Sequence, residues 1–300
     1  MNHDKTGLTL SAEQIESFDR DGFLVLERFL DRELVERLAG RFDPLFSGEF
    51  DTGIYPDEWY WRTGMSLSDV TRHMGNVWKS DRTIAGVVLS AEIARIVATL
   101  AGWSGARMGQ DTLWMKPPKG KEIAFHQDAT YVSYLDPPLS MTCWLTLDDT
   151  RADGGTIEYV RGSHRWPLVE RPGDFHAPER WYRYAMEEAA SALGITDLDI
   201  VAIEVPAGSA VIHHGYLWHG SGPNRRSDTI RRSLGVHLLP DNARFQPTGA
   251  SYIFGRYKRV GDTMMDENFF PILWTAEGYR SPFLADYCPD ALTRPLVTRA

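Results

Sequence analysis

The chain has 300 residues, 43% of them hydrophobic and 24% charged, so it can bury a sizeable core without disulfide or metal staples. A net charge of -9 at pH 7 argues against a nucleic-acid face, which is basic, and equally against a polybasic membrane contact. Two cysteines make no disulfide framework, and Cys143, inside the apolar run Met141-Thr142-Cys143-Trp144-Leu145, reads as a buried thiol in a reducing, cytoplasmic setting. Met1-Asn2-His3-Asp4-Lys5 leads into no apolar segment of secretory type, and Val297-Thr298-Arg299-Ala300 is not a peroxisomal address. No run is expected to reach the length of a membrane span.

Ser11-Ala12-Glu13-Gln14 predicts a capping box, followed by a short amphipathic helix with Ile15 and Phe18 on one face. Asp21-Gly22 ends it, and Phe23-Leu24-Val25-Leu26 reads as a strand. Asp31 caps a second helix, with Leu34, Val35, Leu38 and Phe42 at helical spacing. Ser47 to Met74 is rich in Gly, Asp, Trp and Tyr and reads as a long loop. Its aromatic residues Tyr55, Trp59, Tyr60 and Trp61 suit a lid, although packing over the core edge explains them equally well. Ser90 to Leu100 predicts a helix ending at Gly102.

Beyond Gly102, short strands alternate with Gly and Pro turns. Gln110, Thr112, Trp114 and Lys116 share one strand face, and Pro117-Pro118-Lys119-Gly120 breaks that strand. Further strands are expected over Met141 to Leu147, Thr156 to Val160, Ile200 to Val205, Ala210 to His213 and Arg231 to Leu239. A helical excursion spans Arg180 to Leu193. This pattern predicts a mainly β fold of sandwich or jelly-roll type with flanking helices. One domain is expected over 1–300: a mostly helical part with the lid loop over 1–102, a core over 103–245 with a helical insertion near 167–198, and an extension over 246–300.

Phe125-His126-Gln127-Asp128 places a His and an Asp two apart on an extended segment, where alternation points both the same way. One imidazole nitrogen and one carboxylate oxygen can then share a metal ion. His219, in Leu217-Trp218-His219-Gly220-Ser221, is the candidate third ligand. Two His and one carboxylate leave one face of a metal open, which suits non-haem Fe(II) enzymes that activate O₂. A surface His beside an Asp gives the same short pattern, so the pair alone does not decide.

The ordered set of short motifs resembles the phytanoyl-CoA dioxygenase family of Fe(II)/2-oxoglutarate oxygenases. It runs from Asp21-Gly22-Phe23-Leu24-Val25 through Lys116-Pro117-Pro118 and His126-Gln127-Asp128 to Trp144-Leu145-Thr146-Leu147-Asp148-Asp149. Gly154-Gly155-Thr156, Gly162-Ser163-His164, His219-Gly220-Ser221-Gly222-Pro223-Asn224 and Arg231-Arg232-Ser233 complete it. The resemblance implies a double-stranded β-helix (cupin-like jelly roll) carrying Fe(II), with 2-oxoglutarate and O₂ as co-substrates and a small organic molecule oxidised. Its partner is then a small molecule rather than nucleic acid or membrane, with the chain a monomer or homodimer.

His126, Asp128 and His219 are the implied ligands and catalytic residues. In related halogenases a small residue replaces the carboxylate, so Asp128 points away from halogenation. The co-substrate's far carboxylate wants a bidentate Arg. Asn224-Arg225-Arg226-Ser227-Asp228 carries an apparent one-residue insertion, which leaves Arg231 or Arg232 as the anchor. Ser233 shares the face of Arg231 and favours that choice. Gln110 and Thr112 can bond the co-substrate from the side, and Trp144 resembles a position lining its pocket; a plain core role fits all three as well. His164 is implied to be a turn residue. The roles of His213, His214 and His237 stay open, His237 sharing the Arg231 face. For substrate, Tyr55, Trp59 and Trp61 are expected from the lid, and Arg256 or Lys258 from the late segment Ser251 to Phe270. Hydroxylation of a C–H bond is the leading expectation. The same oxidant can instead desaturate, epoxidise or close a ring, and a catalytically silent ligand-binding β-helix is the remaining alternative. An acyl-CoA substrate follows from the family's name, against which stand the acidic balance and the C-terminal residues; the loop aromatics lean towards a ring-bearing molecule of specialised metabolism.

Overall fold

The computed structural model describes residues 8–169, 175–249, 251 and 253–289, so the readings at the extreme termini lie outside the described residues. In chain order the strands are β1 (Phe23–Leu26), β2 (Glu58–Trp59), β3 (Arg72–Gly75), β4 (Gly105–Lys116), β5 (Ile123–His126), β6 (Leu135–Asp136) and β7 (Met141–Thr146). They continue as β8 (Ile157–Val160), β9 (Ile200–Ala202), β10 (Ala210–His214), β11 (His219–Ser221), β12 (Arg231–Pro240), β13 (Arg244–Phe245) and β14 (Ile272–Thr275).

A major sheet runs β1-β10-β7-β12-β4-β3-β2, with β14 added to the start of β4. A minor sheet runs β5-β11-β8-β9. The pairs are antiparallel, and the two sheets enclose one cavity lined from both. This is the double-stranded β-helix expected.

Alternation decides what each face of the major sheet does. Outward residues Leu113, Met115, Cys143, Leu145, Ile212, Leu234 and Val236 join the main core with the helices. Inward residues divide the interior in two. Phe23, Trp144, Tyr159, Val211 and Leu217 fill one end; Gln110, Thr112, Trp114, Thr142 and His237 line the other, which stays hollow.

The helical layer starts as the sequence predicts. In Ala12–Asp21 the Ser11 hydroxyl accepts from the Gln14 amide at 3.2 Å, and Gln14 Oε1 accepts from the Ser11 amide at 2.8 Å. Gly22 then turns the chain with φ of 84°; a Cβ there would lie 2.4 Å from His164 Nδ1. His164 is thus a packing residue, and its Nε2 donates to the Asp19 carbonyl at 3.1 Å. Asp31 caps Arg32–Ala39, and Ser90 caps Ala91–Ala101, which lies on the outer face of the major sheet.

Four expectations need correction. Residues 47–74 are not one loop, because β2 and β3 extend the major sheet inside it. Alternation over so few residues was hidden by the aromatics. Arg82–Val88 is a helix that the sequence reading passed over. Together with Ala91–Ala101 it matches a membrane span in length and apolarity, contrary to expectation. It breaks at Leu89–Ser90, and Ile84, Val88, Ile93 and Val97 are buried in the main core. The later helix covers only Tyr184–Ala192, because Arg180 to Arg183 form a bend and turn.

The segment after β12 is clamped to the barrel by Arg107, which is 5% exposed. Its guanidinium donates to the carbonyls of Asp241 (3.3 Å), Ala243 (3.2 Å), Met265 (3.0 Å) and Phe270 (3.0 and 3.1 Å). Burial lowers its pKa to about 10, so it stays charged at neutral pH.

Candidate active site

His126 ends β5, His219 begins β11, and the two face each other as cross-strand partners in the minor sheet. Their ring centroids are 4.2 Å apart. Gln127 keeps an extended backbone (φ -116°, ψ 126°), so Asp128 turns to the same side as His126. Gln127 points the other way, where its amide donates to the Tyr216 carbonyl at 2.9 Å and its Oε1 accepts from Val169 N–H at 3.1 Å. One ligand atom from each of His126, Asp128 and His219 lies within 4.8 Å of the others, and all three residues are buried.

The donor set fits a divalent cation. Nδ1 of His126 lies 2.9 Å from the Ala124 carbonyl, and Nδ1 of His219 lies 2.9 Å from the Leu217 carbonyl. A carbonyl only accepts, so each Nδ1 carries the proton and each Nε2 is bare in the neutral ring. Burial, and then the proximity of His126, holds His219 well below its ordinary pKa, so its ring is neutral. The bare Nε2 atoms sit 3.3 Å (His126) and 3.5 Å (His219) from Oδ1 of Asp128. Lone pairs converge there with no proton to share, an arrangement that a metal cation satisfies.

Arg231 supplies the second fit. It is 6% exposed, lines the cavity, and its Nη1 donates to Ser233 Oγ at 2.9 Å. Its buried Nε has no hydrogen-bond partner. Burial lowers its pKa to about 10, which leaves it cationic at neutral pH. A buried cation without a bonded carboxylate calls for an anion from outside the chain. The Trp144 ring lies 5.8 Å from the guanidinium. Arg232, one residue on, points to the other face and is held by Asp148 through contacts of 2.7 and 3.0 Å.

Both groups open into one cavity of about 910 Å³. Gln110, Thr112 and Trp144 also line it. Gly235 belongs to the wall because a Cβ there would lie 2.5 Å from Thr112 Oγ1. The outer part is formed by Tyr60, one of the expected lid aromatics, with Glu58, His73, Tyr131, Phe175 and His176, which the sequence reading did not single out. His176 stacks on Tyr60 with ring centroids 4.1 Å apart, and His73 stacks on Trp114 at 4.3 Å. Burial lowers His176 to a pKa of about 4 and His73 well below 6.5, so both rings are neutral. Alternation around Trp59 was the one available signal for Glu58; nothing in the sequence marks His176.

The structure does not bring the expected substrate residues to the cavity. Tyr55 and Trp59 pack with Phe50 outside it. Trp61, 8% exposed, meets Phe46 edge-on and donates from Nε1 to the Leu67 carbonyl at 2.9 Å. The strand period explains this, since Glu58 and Tyr60 face in and Trp59 and Trp61 face out. Lys258 holds the carbonyls of Gln246, Pro247 and Gly249, and Arg256 bonds the Ile253 carbonyl at 3.0 Å. From that late segment Ser251, Ile253 and Phe254 reach the cavity instead. Trp61→Ala is therefore expected to cost about 3–5 kcal/mol of stability in denaturant unfolding, with substrate preference unchanged. Tyr60→Ala is expected to change substrate preference at little cost in stability. The opposite pairing of effects would return Trp61 to the cavity wall.

A family model described as phytanoyl-CoA dioxygenase (PhyH) matches residues 18–233. A phytanoyl-CoA dioxygenase of Arabidopsis thaliana is 23% identical over 268 residues, covering 77% of this chain and 89% of its own. Among solved structures, the non-haem α-ketoglutarate-dependent carbocyclase SnoK from nogalamycin biosynthesis superposes with a TM-score of 0.66 at 23% identity, covering 88% of this chain and 96% of its own. The epimerase SnoN, in complex with Fe3+, α-ketoglutarate and nogalamycin RO, gives 0.65 at 21%, covering 87% and 98%. These two likenesses establish the fold, and the family match covers most of the barrel and both motif-bearing sheets. The chain belongs to the phytanoyl-CoA dioxygenase family of Fe(II)- and 2-oxoglutarate-dependent oxygenases.

Proposed function

We propose that the chain oxidises a C–H bond of a small, ring-bearing organic molecule, with His126, Asp128 and His219 holding Fe(II) and Arg231 holding the far carboxylate of 2-oxoglutarate. The observation that carries this reading is a single cavity with both a converging set of lone pairs and a buried, anion-seeking guanidinium. Fe(II) with 2-oxoglutarate and O₂ supplies an oxidant for unactivated C–H bonds and releases succinate and CO₂. The chain does the rest. Nδ1 of both histidines is locked by a carbonyl, which fixes each ring's tautomer and aim. Arg231 and Ser233 orient the co-substrate, with Gln110, Thr112 and Trp144 along its side. The aromatic outer wall excludes water from the reacting centre.

Charge narrows the substrate. Among the described residues lining the cavity, Arg231 is the one Lys or Arg, and the co-substrate claims it. The histidines of the outer wall are neutral. An acyl-CoA, with several phosphate charges, finds no counter-cation for them among the described residues of this wall. The stacked Tyr60, His176, Trp114 and His73 suit a flat, uncharged ring instead. The activities of the fold relatives, a carbocyclase and an epimerase, support keeping ring closure and stereochemical change beside hydroxylation as outcomes of substrate pose. The buried free thiol of Cys143 suits a reducing compartment, and cytoplasm is the setting we propose.

The test is succinate formation. Purified chain with Fe(II), 2-oxoglutarate and O₂ is expected to form succinate only when iron is present, faster with a ring-bearing substrate from a panel, and to stop when a chelator removes the metal. Product mass then separates hydroxylation from desaturation or ring closure. A chain that takes up iron yet forms no succinate with any panel member would leave only a silent binding protein.

A further inference from the structure

Asp128 has a second oxygen, and two hydrogen-bonded lines end on it. Thr142 Oγ1 lies 2.6 Å from Oδ2. A carboxylate only accepts, so the single Thr142 proton is spent there. The 3.0 Å contact between Thr142 Oγ1 and His237 Nδ1 must then run from the histidine, which places its proton on Nδ1. His237 Nε2 lies 3.4 Å from Thr112 Oγ1. Thr112 in turn accepts from Trp114 Nε1, a group that can only donate, at 2.9 Å. A donor-only indole at one end and an acceptor-only carboxylate at the other fix the direction of the bond at each end, and the spent Thr142 proton fixes that from His237 Nδ1.

The other line is shorter. His213 Nε2 lies 3.2 Å from Oδ2, and its Nδ1 lies 2.8 Å from the Tyr159 hydroxyl. In the buried, neutral ring Nε2–H donates to Asp128 and Nδ1 accepts from Tyr159. His237 Nδ1 itself stands 3.5 Å from Oδ2. All of these contacts fall on Oδ2, whereas His126 and His219 face Oδ1.

We infer that Thr142, His237 and His213 are positioning residues that commit Oδ2 of Asp128 to hydrogen bonds and leave Oδ1 as its single ligating oxygen. The inference rests on the metal reading of the triad given above. Its value to the reaction is a coordination position. A carboxylate that swings to bind through both oxygens takes a place on the metal that co-substrate or O₂ needs. Partners outside the first ligands typically command 10- to 100-fold in metal affinity or activity, so the effect is measurable. Thr112 and Trp114 also line the cavity, so the longer line ties the ligand carboxylate to the wall that a bound molecule touches.

The experiment uses Co(II) as the probe, titrated into the full-length chain and followed by its visible absorption. Thr142→Val keeps the side chain's shape and removes its proton. It is expected to weaken Co(II) binding about 10-fold or more and to reduce the intensity of the band, as two-oxygen ligation raises the coordination number. Thr142→Ser is expected to restore both. In a chain loaded with diamagnetic Zn(II) and labelled with ¹⁵N-histidine, His237, assigned by its loss in His237→Asn, is expected to show the proton on Nδ1. A Thr142→Val protein with unchanged Co(II) affinity and spectrum, or a His237 protonated on Nε2, overturns the inference while the metal reading stands. A wild-type chain that binds neither Co(II) nor Zn(II) overturns both together. The tautomer measurement needs no destabilising variant, so the question is answered even if Thr142→Val does not fold.

Discussion

Asp128→Ala is expected to end iron uptake and, with it, succinate formation. The change removes Oδ1, the atom on which both bare Nε2 lone pairs converge at 3.3 and 3.5 Å. It also strands the donors of Thr142 and His213, which lose their common acceptor inside the barrel. Loss of a direct ligand is expected to exceed the 10- to 100-fold that outer partners command. Anaerobic Fe(II) titration and a succinate assay check it, with unfolding measured alongside to separate a lost ligand from a lost fold. A folded variant with wild-type iron affinity and turnover would remove Asp128 from the metal site.

Arg231→Ala carries the second large effect. The guanidinium is buried with Nε unpartnered, and Arg232 cannot replace it because Asp148 holds that residue on the opposite face. Loss of a desolvated, charge-assisted contact of this kind is worth about 2–5 kcal/mol, or about 30-fold to several thousand-fold in the 2-oxoglutarate concentration for half-maximal rate. Arg232→Ala breaks a partly exposed ion pair and is expected to cost under about 1 kcal/mol of stability, leaving the co-substrate requirement alone. Lys116 stands opposite Arg231 in the β4–β12 register, but its Nζ donates to Ser221 Oγ and the Gly222 carbonyl. Residual activity in Arg231→Ala would identify Lys116 as a partial substitute. If Arg232→Ala proves the more damaging of the two, the inserted residue before β12 has shifted the anchor by one.

Much of this site was legible in the sequence because strand periodicity carries it. The two-residue spacing of His126 and Asp128 survives intact, since Gln127 stays extended. Arg231 and Ser233 point together for the same reason, while Arg232 points away. The metal-facing His219 was legible only through its motif context, because its partnership with His126 is a long-range pairing. Where periodicity was short, the reading failed. In β2 only two residues pair, and aromatic bulk drew attention to Trp59 and Trp61 when parity turned Glu58 and Tyr60 inward. His176 reaches the cavity through an isolated bridge to Ile123, a contact without local sequence pattern. The line through Thr112, His237 and Thr142 crosses three adjacent strands, and only their register brings those positions together.

Arg107 gives the boundary after β13 a different meaning. By topology the chain beyond Phe245 is an appendage, since the β-helix is complete before it. By hydrogen bonding it is not. Two of the four carbonyls that solvate this buried guanidinium, those of Met265 and Phe270, belong to the appendage, and β14 covers the same strand from which Arg107 projects. Shortening the chain at that boundary would leave a charge in the interior facing half of its acceptors, and would open the cavity where Ser251, Ile253 and Phe254 close it. The catalytic barrel is therefore not a separable module: grafting its strands into another chain requires carrying the appendage with them, and the smallest transplantable unit reaches at least to β14.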